Sequence, residues 1–385
     1  MSKIRVLVVD DSAFMRKVIS DILSADAEVE VIDKAKNGKE AIEKVKNLQP
    51  DVVTLDIEMP EMNGLEALEY LMKHHPVPVV MLSSLTMEGA EATIRALELG
   101  AFDFVTKTSG PISLDIHKVG DTIVDIVKQA AKSKRRIGRG LGGSSVTNTP
   151  APAPAPQPRP SIQKPTVPGF SRKMETPADN PPTPVSMSSD IGGRTTKIVA
   201  LGTSTGGPKA LQVVLSKIPA DFNAPILIVQ HMPPGFTKSL AQRLDTQSPI
   251  RVCEAEDGQT VENGTAYIAP GGYHMEVAQQ SNGRLKIKLQ QDAPRGGHRP
   301  SVDVLFESVS KLTKVNKWAV IMTGMGSDGT NGLKQLKASG TVTSVIEHES
   351  SCVVYGMPRA AVNAGLADNI VPLEHIAETL VRLVN

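Results

Sequence analysis

Lys197-Ile198-Val199-Ala200-Leu201-Gly202-Thr203-Ser204-Thr205-Gly206-Gly207-Pro208 is the stretch whose reading decides the fold. An unbroken apolar run is followed by a glycine-rich turn and then by a proline. Proline is tolerated in the first turn of a helix, where its missing N–H would have no partner. The stretch therefore reads as strand, tight turn, helix. An apolar run without alternation suits a strand covered on both faces, as in a parallel sheet. Pro225-Ile226-Leu227-Ile228-Val229-Gln230-His231 and Trp318-Ala319-Val320-Ile321-Met322-Thr323-Gly324-Met325-Gly326-Ser327-Asp328-Gly329 repeat the pattern, each an apolar strand ending on polar residues. Upstream, five strands are expected at Ile4–Val9, Val29–Asp33, Val52–Leu55, Val79–Leu82 and Phe102–Val105. Each precedes a segment of helical spacing, such as Ala13–Leu23 and Gly64–Lys73. Alternating strands and helices at this length predict two doubly wound α/β domains with parallel sheets.

The rest of the composition bounds what those domains do. The chain has 385 residues, with 42 Lys plus Arg against 41 Asp plus Glu, a formal net charge of +1. That excludes the strong basic field of a dedicated nucleic-acid binder, and 3% aromatic residues leave few platforms for base stacking. Two cysteines, Cys253 and Cys352, make no disulfide framework, and Met1-Ser2-Lys3-Ile4-Arg5 has no signal-peptide pattern, so a cytoplasmic location is expected. No apolar run approaches the roughly 18 residues of a membrane span, so no membrane insertion is expected. Between Pro150 and Pro184, 12 of 35 residues are proline, which predicts an extended spacer. The expected division is residues 1–136, a proline-rich linker at 137–193, and residues 194–385.

In the N-terminal domain the polar residues fall at the expected carboxyl ends of the strands, where such sheets bind ligands. Asp10 and Asp11 follow the first strand, Asp56 the third, Ser83 the fourth and Lys107 the fifth. Crowded carboxylates call for a cation, and oxygen ligands suit Mg²⁺. A lysine beside them suits a phosphoryl group. The chemistry this permits is attack by an aspartate on phosphorus, and Asp56, on the central strand, is the expected nucleophile. Taken singly, Asp10 or Asp11 could cap the next helix, and Lys107 could be a surface lysine.

In the C-terminal domain Gly202-Thr203-Ser204-Thr205-Gly206 fits the G-x-S-x-G turn that lifts a serine above a sheet. Ser204 as a simple helix cap and an anion site at the helix N-terminus are the competing readings. His231 at a strand end could be structural, and Asp328 could cap the helix containing Leu333. Together the three residues place a nucleophile, a base and an orienting acid on one sheet rim, provided the strands are parallel. Asp257 and Asp303 are alternative acids. His274, His298 and His348 lack zinc-site spacing, and the stretches around His274 and His298 could line the cleft mouth. The chain order Ser, His, Asp differs from the Ser, Asp, His order of α/β hydrolases.

The motifs carry two resemblances. Val8-Val9-Asp10-Asp11-Ser12, Leu55 through Gly64, and Val105-Thr106-Lys107 resemble the receiver domain of bacterial response regulators over about residues 3–125. This implies a flavodoxin-like fold and Asp56 as phospho-acceptor. It also implies Mg²⁺ held by Asp11, Asp56 and the Glu58 carbonyl with Asp10 acting through water, Ser83 as switch hydroxyl, and a histidine kinase as donor. The segments Gly202–Pro208, Gln230-His231-Met232 and Thr323–Gly329 resemble the chemotaxis protein-glutamate methylesterases. That implies a three-layer α/β esterase domain using Ser204, His231 and Asp328, with no cofactor. Its reaction would be hydrolysis of glutamate methyl esters on the cytoplasmic domains of chemoreceptors, releasing methanol, with deamidation of glutamines. The Met325 N–H carries over as an oxyanion donor, and Thr205, in the first glycine turn, is the other candidate. Control by phosphorylation of Asp56 is implied with it. The alternative is a non-enzymatic response regulator whose output domain binds a nucleotide or a protein. Residues 197–385 show no helix-turn-helix pattern or basic cluster to support DNA binding.

Overall fold

The computed structural model describes residues 2–107, 116–140 and 196–385. The proline-rich stretch from 141 to 195 lies outside the described residues.

The first domain alternates strand and helix: β1 Ile4–Val9, α1 Ala13–Ser24, β2 Val29–Ala35, α2 Gly38–Leu48, β3 Val52–Asp56, α3 Gly64–His74, β4 Val79–Ser83, α4 Met87–Leu99, β5 Asp103–Thr106 and α5 Ile116–Gly140. The five strands pair in parallel in the order β2-β1-β3-β4-β5. The helices begin where side chains can take the first free N–H groups. Ser12 caps α1, Asn37 caps α2, Thr86 caps α4, and Asn63 with Glu66 forms a reciprocal capping box on α3. Ser12, and not Asp10 or Asp11, is the cap of α1, which leaves both carboxylates for another task. Helix α5 runs through Gly140 into the expected linker.

The second domain continues with β6 Lys197–Thr203, α6 Gly207–Leu215, β7 Ile226–Gln230, α7 Phe236–Asp245, β8 Arg251–Glu254, β9 Thr265–Ile268, β10 His274–Gln279 and β11 Leu285–Gln290. It ends with α8 Val302–Ser310, β12 Asn316–Ile321, α9 Thr330–Ala338, β13 Val342–Glu347, α10 Met357–Asn363, β14 Asn369–Val371 and α11 Leu373–Val384. Seven strands form one parallel sheet, β14-β13-β12-β6-β7-β9-β8, and β10 with β11 forms a separate antiparallel hairpin.

Successive residues of β6 face opposite sides, and both sides are buried. Val199 and Leu201 join Ile226, Ile228 and Val320 under α6, α7 and α11. Ile198 and Ala200 join Leu227, Val229 and Ile321 under α8, α9 and the hairpin. This two-sided cover is why the strand reads as a continuous apolar run. Each fully buried Leu or Ile contributes roughly 2 kcal/mol.

The chain order reverses at β6: β7 lies on one side, and β12 and its successors on the other. Ligands of open parallel sheets bind at such a reversal, beyond the carboxyl ends of the strands. At the β6 terminus a Cβ on Gly202 would run into the Val302 side chain at the start of α8. Gly202→Ala is therefore expected to overpack this junction and lower stability by about 1–3 kcal/mol, measured as a lower urea midpoint than the parent.

Candidate active site and phosphoryl-acceptor site

Strands β12, β6 and β7 are neighbours, and each ends on one residue of the expected set. In the β6–β7 register Thr203 pairs with Gln230, so Ser204 and His231 are the next residues on adjacent strands. Asp328 lies in the turn after β12. Gly206 makes the elbow possible: its φ of 79° is left-handed, and Val353 packs where a side chain would project. Ser204 is not a cap, because α6 starts from Gly206 with no side-chain hydrogen bond.

His231 and Asp328 meet directly, Nε2 to Oδ2 at 2.8 Å. The Asp328 carboxylate does not cap α9, whose N-cap is Gly329. It instead closes the N-terminus of α8, accepting from Val302 N at 2.7 Å, Asp303 N at 3.0 Å and the Ser301 hydroxyl at 2.8 Å. Burial alone would raise the Asp328 carboxyl, but the bond and charge of His231 and these backbone donors outweigh it and hold it at about 2. An ionised carboxylate only accepts, so Nε2 carries the proton of this bond, and whenever the ring is neutral Nδ1 holds the lone pair. Nδ1 is buried and has no hydrogen-bond partner among the described residues. The Ser204 hydroxyl is therefore not bonded to it in this conformation. The backbone N–H groups of Thr205 and Met325 likewise make no hydrogen bond among the described residues. They sit in the two glycine turns that flank Ser204.

The alternative acids lie elsewhere. Asp303 accepts from Gly332 N at 2.7 Å, tying α8 to α9, and Asp257 accepts from Leu289 N at 2.8 Å. His274 is buried with Nε2 facing Ala293 O, and His348 bonds Ser350 at the surface. His298 is brought to the site, its ring stacked on that of His231.

Three further residues shape the site and escaped the sequence reading. The Gln230 side-chain amide donates to both the Ser204 and His231 carbonyls, at 3.0 and 3.1 Å. Ser301 holds Asp328. Buried Glu347 accepts from Thr323 N at 2.8 Å and so fixes the root of the second glycine turn. Each carries a weak local signal, a polar residue at the end of an apolar strand or just before a helix, but its target is distant in the chain.

In the first domain Lys107 Nζ lies 2.8 Å from Asp10 Oδ2 and 2.7 Å from Asp56 Oδ1. Oxygens of Asp10, Asp11 and Asp56 all lie within 4.8 Å of one another. Burial pushes the Asp56 carboxyl up to about 6 against the pull of Lys107. Ser83 faces the other way: its hydroxyl donates to Gly89 O and accepts from Thr93 in α4. Glu58 is exposed, its carboxylate 3.4 Å from the Ser84 hydroxyl.

The domains meet beside Ser204. Phe104 stacks on Phe236 with centroids 5.1 Å apart, and Arg243 grips Glu98 through two bonds of 2.7 and 2.9 Å. Ala90 and Ile94 of α4 enter the core of the second domain. Met325, Val353 and Val354 pack on the core of the first. Burial pushes the Asp103 carboxyl up to about 6, with the Thr205 hydroxyl of the facing domain beside it.

The two doubly wound parallel sheets fit a response regulator whose output domain is a hydrolase. The chain matches the response regulator receiver domain over residues 6–117 and the CheB methylesterase over residues 199–380. It is 50% identical to a protein-glutamate methylesterase/protein-glutamine glutaminase of Geobacillus kaustophilus, over 100% of this chain and 99% of that one. It is 48% identical to the Bacillus subtilis protein of the same description, over 99% and 98%. The crystal structure of the Thermotoga maritima CheB methylesterase catalytic domain aligns with 49% of this chain and 100% of its own, at 44% identity and a TM-score of 0.48. The chain belongs to the chemotaxis protein-glutamate methylesterase/protein-glutamine glutaminase family. It is a hydrolase with a receiver domain, and the non-enzymatic alternative finds no support in these relatives. Among the described residues no helix is long and apolar enough to cross a membrane.

The depressed pKa of Asp328 ties stability to pH. Its value of about 2 lies below the ordinary 3.8, so folding favours the charged form. The contribution, about 2 kcal/mol, is complete above roughly pH 4 and is lost as pH falls through 2. Asp328→Asn should therefore lose about 2 kcal/mol against the parent at pH 7 and clearly less at pH 3, read from urea unfolding at both pH values.

Proposed function

We propose that Ser204, His231 and Asp328 carry out the hydrolysis. The Ser204 hydroxyl attacks the γ-carbonyl of a glutamate methyl ester while His231 Nδ1 takes its proton. The tetrahedral oxyanion is received by the N–H groups of Thr205 and Met325, each such donor contributing about 3 kcal/mol. His231 returns the proton to the departing methanol, leaving an acyl-serine. Water, activated by the same nitrogen, then releases the glutamate carboxylate and restores Ser204. Glutamine follows the same path with ammonia leaving. Asp328 stays ionised throughout and stabilises the imidazolium. The observation that carries this reading is the 2.8 Å bond from His231 Nε2 to Asp328, which leaves a buried, unpartnered Nδ1 on the strand next to that of Ser204. The strand register already sets Ser204 beside His231, so a side-chain rotation suffices to close the pair. Hydrogen bonds of this kind are often long before substrate arrives.

The substrates in this reading are methylated glutamates and glutamines of chemoreceptor cytoplasmic domains, and the enzyme works in the cytoplasm. Residues 1–136 form the receiver, 137–193 the linker and 194–385 the catalytic domain. Asp56 accepts the phosphoryl group from the histidine kinase of the pathway. The cluster of Asp10, Asp11 and Asp56 suits a hard divalent cation such as Mg²⁺, with the Glu58 carbonyl as a further ligand. When bound, the ion neutralises charge on the transferring group. Lys107, now shared by Asp10 and Asp56, is placed to pair with the phosphoryl oxygens, and Ser83 is the hydroxyl that reports the change to α4. The docked face of α4 and β5 covers the rim that bears Met325 and Thr205. Weakening that interface upon phosphorylation opens the site.

Methanol release from methylated receptor fragments tests the nucleophile: Ser204→Ala should abolish it, and undiminished turnover would remove the assignment. Asp56→Asn should lose kinase-dependent stimulation. Glu98→Lys opposes Arg243 across the interface and should raise methanol release by unphosphorylated enzyme by about threefold, the scale of one partly exposed ion pair. No rise would argue against a gate at this face.

A further inference from the structure

The imidazole of His231 is held by one hydrogen bond, from Nε2 to Asp328. Its other nitrogen has no partner among the described residues. One bond does not by itself fix the plane of the ring, and contact on the ring face adds a restraint. His298 lies there, with its ring centroid 3.8 Å from that of His231 and its plane 6° from parallel.

We propose that His298 is a positioning residue for the hydrolysis: its ring is the wall that fixes the plane of the His231 imidazole and supports it as it takes the proton. This rests on His231 being the base. Two face-to-face neutral rings are not the preferred aromatic arrangement. A neutral ring against a cation is favourable, more so where water is excluded. The contact therefore strengthens when His231 becomes imidazolium, the condition for an interaction that speeds a reaction. Burial, and then the neighbouring His231, push His298 down to about 4. The wall is thus uncharged near neutral pH and does not repel the imidazolium.

The wall is itself anchored. Arg295 and His298 exchange two backbone hydrogen bonds of 3.0 Å, closing a tight loop. Arg295 pairs with Glu307 of α8 through bonds of 2.8 and 3.2 Å, and Arg299 donates to the Gln291 and Asp292 carbonyls. Helix α8 therefore holds Asp328 at its first turn and the His298 loop at Glu307. Both restraints on the base hang from one rigid element.

The test uses the full chain and methanol release from methylated receptor fragments, separating kcat from KM. His298→Leu and His298→Gln fill the space without a ring; His298→Phe keeps the ring without the nitrogens. The two ringless variants should lose about tenfold in kcat, with KM within about twofold, while His298→Phe recovers most of the kcat. Thermal melts identify any variant that fails to fold, and the other ringless variant then carries the comparison. Ringless variants that match His298→Phe in kcat, or that lose only in KM, overturn the proposal. His231→Gln separates the two levels. If it turns over like the parent, the assignment of the base fails; if it is inactive while ringless variants keep their kcat, only the role of His298 fails.

Discussion

The catalytic half of this protein depends on a single carboxylate. Asp328 accepts hydrogen bonds from the first turn of α8 and from Ser301, and it also binds His231 Nε2. A buried carboxylate is costly unless its lone pairs are matched, and the helix N-terminus supplies both donors and a favourable field. Because the carboxylate is held charged and can only accept, a proton of the imidazole must sit on Nε2. That choice of tautomer leaves Nδ1 without a proton and without a partner among the described residues. The order of strands, the placement of α8 and the chemistry of the base therefore form one connected arrangement.

A similar economy joins the two domains. The aromatic pair Phe104–Phe236, the Glu98–Arg243 bridge and the apolar residues of α4 bury the receiver face on the same rim that carries Met325 and Thr205. The carboxylate cluster lies at the carboxyl ends of β1 and β3, and at the end of the neighbouring β4 the Ser83 hydroxyl is bonded to Gly89 and Thr93 of α4. The interface is mostly apolar with a few exposed charges, which suits a contact that must both form and release.

Much of this was legible from local pattern. The strand ends that bear Asp10, Asp56, Lys107, Ser204 and His231 follow from apolar runs and glycine turns, since burial on two faces demands such runs. Asp328 was legible as the partner of His231 only jointly with Ser204 and His231; taken alone, capping α9 was the more natural task. The stacking of His298 was also out of reach, because the glycine-rich loop that carries it shows no periodicity and its partner is far away in sequence. Gln230, Ser301 and Glu347 were missed for the same reason, since the Ser204 carbonyl, the Asp328 carboxylate and the Thr323 N–H that they hold lie 24 to 27 residues away.

The sequence by itself determined the two parallel sheets, the elements that bear the reactive side chains and the family to which the motifs belong. These rest on periodicity and turn chemistry, which act over a few residues. Only the tertiary structure decided that β12, β6 and β7 are neighbours, that α8 rather than α9 receives Asp328, and that one face of the receiver covers the active-site rim. Those outcomes come from packing between segments tens to hundreds of residues apart, where shape and matched hydrogen bonds select among arrangements that the local pattern leaves equivalent.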